Sequence, residues 1–452
     1  MKKRIWGIIL LLVFLNLFQQ NLFCQSVSQQ EQASSISLGN TAWVLISTAL
    51  VMLMTIPGLA LFYGGLVRRK NLLNIIMQCF IIMLIISIEW VVLGYSMSFG
   101  SSEGFLKPFI GGFDWAFLNN IKASDLSPYA VTMPNARIPH VVFIMYQCMF
   151  AAITPALIIG AFAERIKFKG FVIFSLLWAL FIYNPVTHWM WSSDGWLFKM
   201  GALDFAGGIV VHITAGISAL IMAIMLGWRR YYNNTPTPPH NIPFVAIGTG
   251  ILWFGWFGFN AGSGLAADGV AGNAMLVTHI AAATAGFVWA LLDWFINKKP
   301  TTIGVCTGIV AGLAAITPTA GFIDVRAAII VSTISSITCF IMVGYIKIKL
   351  GYDDSLDAFG VHGIAGIIGS LLVGIFASPA IQGSYQGFWY GNKHQLTVQL
   401  IAVGATIVYS AIITFLLYKL VDKFFGLRVN PNEENEGLDF SQHNEIAYNE
   451  TD

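Results

Sequence analysis

Charged residues are scarce in this sequence, and their scarcity excludes most soluble fold classes. Only 10% of the 452 residues are Asp, Glu, Lys or Arg, and 56% are hydrophobic, whereas soluble domains carry about 25% charged residues. The formal net charge of +2 lacks the basic excess of a nucleic-acid-binding protein. With a mean hydropathy of +0.72, the chain is predicted to lie in a lipid bilayer, with no nucleic acid as a partner.

Cysteine is also scarce, and the motifs of several enzyme classes are missing. Four of the five cysteines lie inside apolar runs without CxxC spacing, which argues against a disulfide framework or a cysteine metal site. The sequence contains no Walker A, HExxH or GxSxG motif, which makes an ATPase, a zinc protease or an α/β hydrolase improbable. We therefore expect no enzymatic activity, no cofactor and no metal site.

The first residues have the pattern of a secretory signal peptide. Lys2, Lys3 and Arg4 precede an apolar run, and Cys24-Gln25-Ser26 offers a small-x-small cleavage site. Residues 1–26 are therefore predicted to be a signal peptide that is removed, and residues 27–41 a short external segment. A retained additional helix is the alternative.

Eleven apolar segments predict an all-α domain of eleven transmembrane helices over residues 42–424. The segments are centred near residues 53, 86, 152, 178, 215, 252, 285, 311, 337, 368 and 411. Of the 24 Lys and Arg residues, three lie in the signal peptide, fifteen in the loops of one side and six in those of the other. Because basic residues favour the cytoplasmic side, the N-terminus is predicted outside and the C-terminus inside an inner (plasma) membrane.

An internal repeat relates the fifth and tenth segments. Val211–Ile217 and Val361–Ile367 both read V-H-x-x-A-G-I, and an aspartate precedes each: Asp204 and Asp357. Copies five spans apart run in opposite directions, which predicts two inverted five-helix repeats followed by a final helix. Small Ala-Gly steps let helices approach closely, so the two repeat histidines are expected to face each other. Chance similarity between Gly-rich and Ala-rich helices is the alternative.

His212 and His362, the repeat histidines, are candidates for a transport pathway. Ionisable groups inside membrane helices are commonly functional, although a packing histidine bonded to a carbonyl is the alternative. A neutral imidazole has one donor and one acceptor nitrogen, which suits a small neutral molecule or a proton. A metal site would need further ligands at the same depth, and the sequence shows none there.

Several motifs in the same order resemble the Amt/Mep/Rh family of ammonium transporters, in its bacterial Amt branch. The resemblance covers nearly the whole chain after the signal peptide. Its motifs are TIPGLALFYGG at 55–65, GAFAERIK at 160–167, ALDFAGGIVVH at 202–212, GWFGFNAGS at 255–263, DAFGVHG at 357–363, and GLR, EGLD and AY in the tail.

The resemblance implies an external recruitment site for NH4+ above a closed gate. Trp191 would offer its ring face, a cation–π contact worth about 0.5–2 kcal/mol, and Ser263 would accept a hydrogen bond from the same cation. Phe150 and Phe259 would form the stacked gate, with Phe150 also at the recruitment site. Tyr146 stands where the family often has Phe, which implies a more polar vestibule.

Below the gate, the resemblance implies a pore lined by His212 and His362. Desolvating an unpaired cation is expensive, so NH4+ would lose a proton near the gate and cross as NH3. The proton would either stay outside or pass separately through the histidines. Asp204 and Asp357 would have structural and electrostatic roles, and backbone donors at a helix N-terminus should hold Asp204.

The resemblance also implies partners and regulation. The substrate would be ammonium or ammonia, with methylammonium as an analogue, and the protein would be a homotrimer. The acidic tail, residues 425–452, is typical of a disordered terminus by composition, but the resemblance implies a cytoplasmic segment that docks under the pore and mediates control by a PII-type protein. Two rival functions are a proton-coupled transporter of another small amine or cation, and an ammonium sensor.

Two further polar residues fall inside predicted spans. Glu89 either faces a protein interface or water pathway or pairs with a nearby donor, and the interface is favoured. His279 is interpreted as a packing residue or a subunit contact.

Overall fold

The computed structural model describes residues 36–130, 136–230, 232 and 237–448. The predicted signal peptide lies outside these residues, as does most of the predicted segment 27–41. Within the described ranges the regular structure is helical, apart from two isolated β-bridges, Leu126 with Pro139 and Ile166 with Arg428.

The prediction of an all-α membrane protein is confirmed, and each predicted apolar segment corresponds to one helix. Ten helices of the described ranges are long and apolar enough to cross a membrane, and the eighth has only 15 residues. The number of crossings and the orientation therefore stay predictions. The helices are α1 (Leu38–Leu66), α2 (Arg69–Phe99), α3 (His140–Phe162), α4 (Phe168–Met200, interrupted at 192–195), α5 (Gly208–Leu226), α6 (Ile242–Gly262), α7 (Gly269–Asn297), α8 (Thr302–Ile316), α9 (Val325–Leu350), α10 (Phe359–Phe376) and α11 (Lys393–Phe425).

Helix α3 lies at the centre of the bundle and α11 at its edge. In the most apolar stretch of α3, 94% of the residues are buried inside the protein, whereas in that of α11 only 33% are buried. A helix that is apolar all round is typical of a protein core, and α3 is apolar on every face. Its neighbours include α1, α2 and α5, so side chains on α3 can face the interior of the first repeat.

Helices α5 and α10 begin with wide π-type turns, Gly208–Ile213 and Phe359–Gly363, each of which contains a repeat histidine. Their contact is reciprocal, because the turn of each helix packs against the helix that follows the other turn. A methyl group on Gly216 would come within 2.2 Å of the Cα of Gly363, and one on Gly366 within 2.8 Å of the Cβ of His212. The expected close approach of the two Ala-Gly steps is thereby confirmed.

The tail is ordered and docked through residue 448. It contains two short helices, α12 (Pro431–Glu436) and α13 (Leu438–His443), and α13 lies against the first turns of α2. The amide of Leu438 donates to Oδ1 of Asn71 at 2.8 Å, and the amide of Asn74 donates to Oδ1 of Asp439 at 2.8 Å. Acidic composition alone favoured disorder here, but the acidic side chains find fixed donors.

A buried carboxylate, Glu164, links the tail region to both repeats. Arg68 and Arg229 lie 3.0 and 3.4 Å from Oε2 of Glu164, and Nδ2 of Asn71 donates to its Oε1 at 2.9 Å. Arg229 also pairs with Asp353 at 2.9 Å. Burial alone would raise the pKa of Glu164, but the two guanidinium groups outweigh it and hold that pKa below its ordinary value.

The glycine contact between α5 and α10 can be tested by a stability measurement. We expect Gly216→Ala to lower the unfolding free energy by about 1–3 kcal/mol, because the added methyl group overpacks the crossing. Gly250→Ala is the matched control, since a methyl group on Gly250 meets nothing within 4 Å. Thermal unfolding of both variants in nanodiscs, followed by tryptophan fluorescence, checks the difference. Equal melting temperatures for the two variants would contradict this packing.

Candidate functional site

The two repeat histidines stack in the centre of the bundle. The ring centroids of His212 and His362 are 5.3 Å apart, and the ring planes differ by 7°. The side chains are 1% and 3% exposed. Both ring nitrogens of His212 and Nδ1 of His362 are buried without a hydrogen-bond partner among the described residues. Buried polar atoms are usually paired, so these nitrogens are available to a molecule that enters the space beside them.

A small, largely apolar cavity lies beside the rings, and we call it the histidine cavity. Its volume is about 10 Å³, which is close to the minimum for a cavity that holds one water molecule. Apart from the histidines, its walls are aliphatic and aromatic. They are Met54, Leu59, Phe62, Ile153, Leu157, Val211, Leu252, Trp256, Phe259 and Val310.

Trp256 is a wall residue that sequence reasoning did not single out. Its ring lies 5.6 Å from that of His212 with an interplanar angle of 19°, and its Nε1 donates to Oγ1 of Thr317 at 2.9 Å. The sequence did contain a signal for this role: Trp256 precedes Phe259 by three residues, so the two share one face of α6. The hydrogen bond fixes the indole against one side of the imidazole.

Two phenylalanines stack next to the histidine cavity. The rings of Phe150 and Phe259 are 4.2 Å apart at 32°, and both side chains are buried. The ring of Phe259 is 6.3 Å from that of His212, and Phe259 also lines the histidine cavity.

A second cavity, of about 300 Å³, lies on the other side of this pair. We call it the Trp191 cavity, since Trp191 and Ser263 are among its lining residues. The ring of Trp191 is 6.0 Å from that of Phe150, and its Nε1 donates to the carbonyl oxygen of Asp204 at 2.9 Å. The hydroxyl of Ser263 donates to the carbonyl oxygen of Phe259 at 2.8 Å, which leaves its lone pairs as acceptors.

Tyr146 does not make the Trp191 cavity more polar, contrary to the expectation from sequence. Its side chain is buried and is not among the lining residues of that cavity. The hydroxyl lies 2.9 Å from the carbonyl oxygens of Gly258 and Phe259 and 3.2 Å from Oγ of Ser263. The tyrosine hydroxyl therefore donates to carbonyls near the end of α6, where intrahelical donors run out.

Asp204 is held entirely by backbone donors, as expected. Its two carboxylate oxygens accept the N–H groups of residues 207, 208, 209 and 210 at 2.6–3.0 Å. These are the unpaired donors at the start of α5, where the helix dipole also favours an anion. The geometry supports a structural and electrostatic role, because neither oxygen is left to bind a substrate ion directly.

The counterpart of Asp204 in the second repeat is Asp354, not Asp357. Asp354 precedes His362 by eight residues, as Asp204 precedes His212, and it accepts the N–H groups of Ala358 at 3.0 Å and Phe359 at 2.8 Å. Asp357 has a left-handed φ of 60° and pairs with Lys347. Applying the offset of 150 to Asp204 would have identified Asp354 from sequence.

A third cavity, of about 200 Å³, has His362 in its wall. We call it the Asp357 cavity. Its walls also include Asp357, Tyr63, Arg229 and Ser355. His362 therefore lines both the histidine cavity and the Asp357 cavity.

Glu89 and His279 lie away from these cavities. Glu89 is buried and accepts a hydrogen bond from Nδ2 of Asn184 at 2.8 Å, so it pairs with a nearby donor, and the favoured interface interpretation stays a prediction. His279 is exposed on α7, where its ring lies 5.2 Å from that of Trp253. Its predicted packing contact is confirmed, and a subunit contact stays a prediction.

Comparison with known proteins identifies the family. The model of the Ammonium Transporter Family matches residues 42–448. The chain belongs to the ammonium transporter family. Among its relatives, ammonium transporter Amt1 of Archaeoglobus fulgidus is 48% identical over 413 residues, which are 91% of this chain and all of that one.

Solved structures of ammonium transporters agree with the fold. The crystal structure of Saccharomyces cerevisiae Mep2 superposes with a TM-score of 0.84 at 32% identity, covering 95% of this chain and 97% of that one. A structure described as a sensor Amt protein superposes with a TM-score of 0.81 at 31% identity, covering 92% of this chain and all of that one.

The assignment of Asp354 as the counterpart of Asp204 predicts that Asp354, and not Asp357, stabilises the start of α10. We expect Asp354→Asn to cost about 1.5–3 kcal/mol of stability, because backbone donors lose a charged acceptor. Asp357→Asn, which removes only a half-buried ion pair, should cost about 1 kcal/mol or less. Thermal unfolding in nanodiscs compares the two. A larger loss for Asp357→Asn than for Asp354→Asn would reverse the assignment.

Proposed function

We propose that this ammonium transporter binds NH4+ in the Trp191 cavity, releases a proton near Phe150 and Phe259, and conducts NH3 past the histidines. The observation that carries the proposal is the stacked, buried pair His212 and His362, whose unpaired ring nitrogens line a cavity sized for one small molecule. A neutral NH3 can both donate to and accept from imidazole nitrogens.

The free energy of moving a positive charge into the histidine cavity favours deprotonation of NH4+. Removing a proton from an alkylammonium group such as that of lysine, with a pKa of about 10.4, costs about 5 kcal/mol at pH 7. NH4+ is a stronger acid, so its deprotonation costs less. Moving the intact cation into a medium of dielectric constant about 4 costs of order 20 kcal/mol before any compensation. The residues that line the histidine cavity include no carboxylate to compensate that cost. Crossing as NH3 is therefore the cheaper path.

Recruitment is supported by the arrangement around Trp191. Its indole is fixed by the hydrogen bond to Asp204, and Ser263 lines the same cavity with free acceptor lone pairs. The ring face attracts any small cation, whereas hydrogen bonds from N–H groups to the hydroxyl favour NH4+ over K+, which has no donor. The backbone-held carboxylate of Asp204 adds a negative potential without occupying the site.

The fate of the proton follows from the histidine pair. An imidazole can accept a proton on one nitrogen while it donates from the other, so the stacked rings offer a separate path for the proton. Transport carries charge if the proton takes this path and is neutral if the proton stays in the Trp191 cavity. The electrical measurement below separates the two.

A second candidate function is ammonium sensing, which the likeness to the structure described as a sensor Amt protein favours. A sensor would bind NH4+ in the Trp191 cavity with little flux. A proton-coupled transporter of another small amine or cation is the remaining rival, and it would use the same histidines as the proton relay.

We further propose a homotrimer in the plasma membrane, with control by a PII-type protein at the face that carries the tail. The proposal is supported by exposed apolar side chains along the bundle, such as Phe254 and Phe287. It is also supported by the tail, which ends its docked path next to Arg69, with the guanidinium 5.2 Å from the ring centroid of Tyr448. A partner that binds this face would contact the tail and the α1–α2 connection together.

Transport itself can be measured by uptake. We expect the chain to restore uptake of labelled methylammonium in a bacterial strain that lacks its own ammonium carriers, and excess ammonium should suppress that uptake because both ions use one site. Normal membrane insertion without uptake would contradict the transport proposal, and NH4+ binding in that sample would favour the sensor.

The role of the histidines can be measured electrically. In proteoliposomes on a solid-supported membrane, we expect His212→Ala to reduce the current that follows an ammonium pulse at least tenfold, because the proton loses its acceptor. His279→Ala is the matched control, since this membrane histidine lies outside the three cavities. A full ammonium current in His212→Ala would contradict a proton path through the histidines.

A further inference from the structure

The Trp191 cavity is much larger than NH4+ requires. Its volume of about 300 Å³ is at the lower end of the range for pockets that hold small organic ligands. The histidine cavity beyond the phenylalanine pair has only about 10 Å³. A ligand with more atoms than NH4+ can therefore fit in the first cavity and is too large for the second.

The cavity has polar acceptors that an ammonium group can use. Ser263 offers the lone pairs of its hydroxyl, as described above. Gln147, on α3 three residues before Phe150, also lines the cavity, and its Oε1 is buried without a partner among the described residues. An amide oxygen in such a position favours a ligand with an N–H donor, because unpaired burial is costly.

Beyond these acceptors, the cavity has an apolar aromatic wall. Phe205, Phe322 and Tyr385 line it, and their rings contact one another in series. The centroids of Phe205 and Phe322 are 5.6 Å apart at 79°, and those of Phe322 and Tyr385 are 5.1 Å apart at 68°. This wall can bury the alkyl part of a ligand.

The charge of the cavity favours a cation. Its described lining residues include the carboxylate of Asp204 and no Lys, Arg or His. Burial raises the pKa of Asp204 to about 6, and the four backbone donors oppose that rise. At pH 7 the carboxylate is therefore mainly anionic, with no cationic side chain among those residues. A neutral alcohol of equal size lacks this attraction.

We propose that the Trp191 cavity binds primary alkylammonium ions longer than methylammonium. Their ammonium group lies at Ser263 and Gln147, and their alkyl chain lies against Phe205, Phe322 and Tyr385. Such ions are ligands and not substrates, because the histidine cavity is too small for them. Binding itself does not depend on transport, whereas competition with methylammonium uptake rests on the proposed function.

The test is a calorimetric titration of the full chain in nanodiscs with methylammonium, propylammonium and butylammonium chloride. Complete burial of one methylene would strengthen binding about fourfold, so we expect about threefold per methylene and about 30-fold from methylammonium to butylammonium. 1-Butanol, the uncharged analogue, should not bind measurably. Tetramethylammonium has no N–H donor for Gln147, and we expect it to bind at least tenfold more weakly than butylammonium.

Variants separate the two parts of the site. Tyr385→Ala should weaken butylammonium binding at least fivefold and leave methylammonium binding unchanged. Phe388→Ala is the matched control, because Phe388 follows in the same connection and is 46% exposed, against 38% for Tyr385, but does not line the cavity. Gln147→Leu should weaken both ions, since both lose an acceptor.

Two results would overturn the proposal: butylammonium binding no tighter than methylammonium binding, or equal butylammonium binding in wild type and Tyr385→Ala. Tetramethylammonium binding as tight as that of butylammonium would overturn the assigned role of Gln147. Uptake of methylammonium is measured in parallel. Tight butylammonium binding by a protein without uptake would support this inference and contradict the proposed function, so the two failures are distinguishable.

Discussion

The close crossing of α5 and α10 is the constraint on which the rest of the structure depends. Gly216 and Gly366 have no side chain between the helix backbones, so the turns that contain the histidines come into contact. Any larger residue would separate the rings of His212 and His362 and open the cavity beside them. The crossing therefore determines both the stacking of the imidazoles and the size of the space that they line.

Carboxylates at the starts of α5 and α10 accept hydrogen bonds from backbone N–H groups that would otherwise be unpaired. Helices that begin inside a bundle leave backbone N–H groups unpaired, and water is not available to satisfy them. Asp204 and Asp354 accept these donors in the two repeats. Asp204 also lines the Trp191 cavity, so in the first repeat one carboxylate both supports the backbone and contributes to the electrostatics of that cavity.

The sequence predicted the fold class and the contact between the histidines, because these follow from long-range patterns. Apolar length predicts helices, and an exact repeat predicts a symmetric contact. The second-repeat aspartate was assigned wrongly because Asp357 is nearest to the histidine, although the offset of 150 residues from Asp204 points to Asp354. The direction of the Tyr146 hydroxyl and the stacking of Trp256 depend on neighbouring side chains from other helices, which cannot be identified from a single sequence. For Glu89, the partner Asn184 lies 95 positions away, and no spacing rule connects them.

The docked tail has a consequence for how the molecule is assembled. Residues 426–448 follow all eleven helices in the chain. They contact the start of α2 through Asn71, and the connections α3–α4 and α5–α6 through Arg165 and Arg230. Arg229, adjacent to one of these contacts, pairs with Asp353 of the second repeat. The surface that binds the tail forms only when these segments, which are far apart in the sequence, have come together. Because Asp353 belongs to the second half of the chain and the other contacts to the first, correct docking of residues 426–448 requires that both halves have folded.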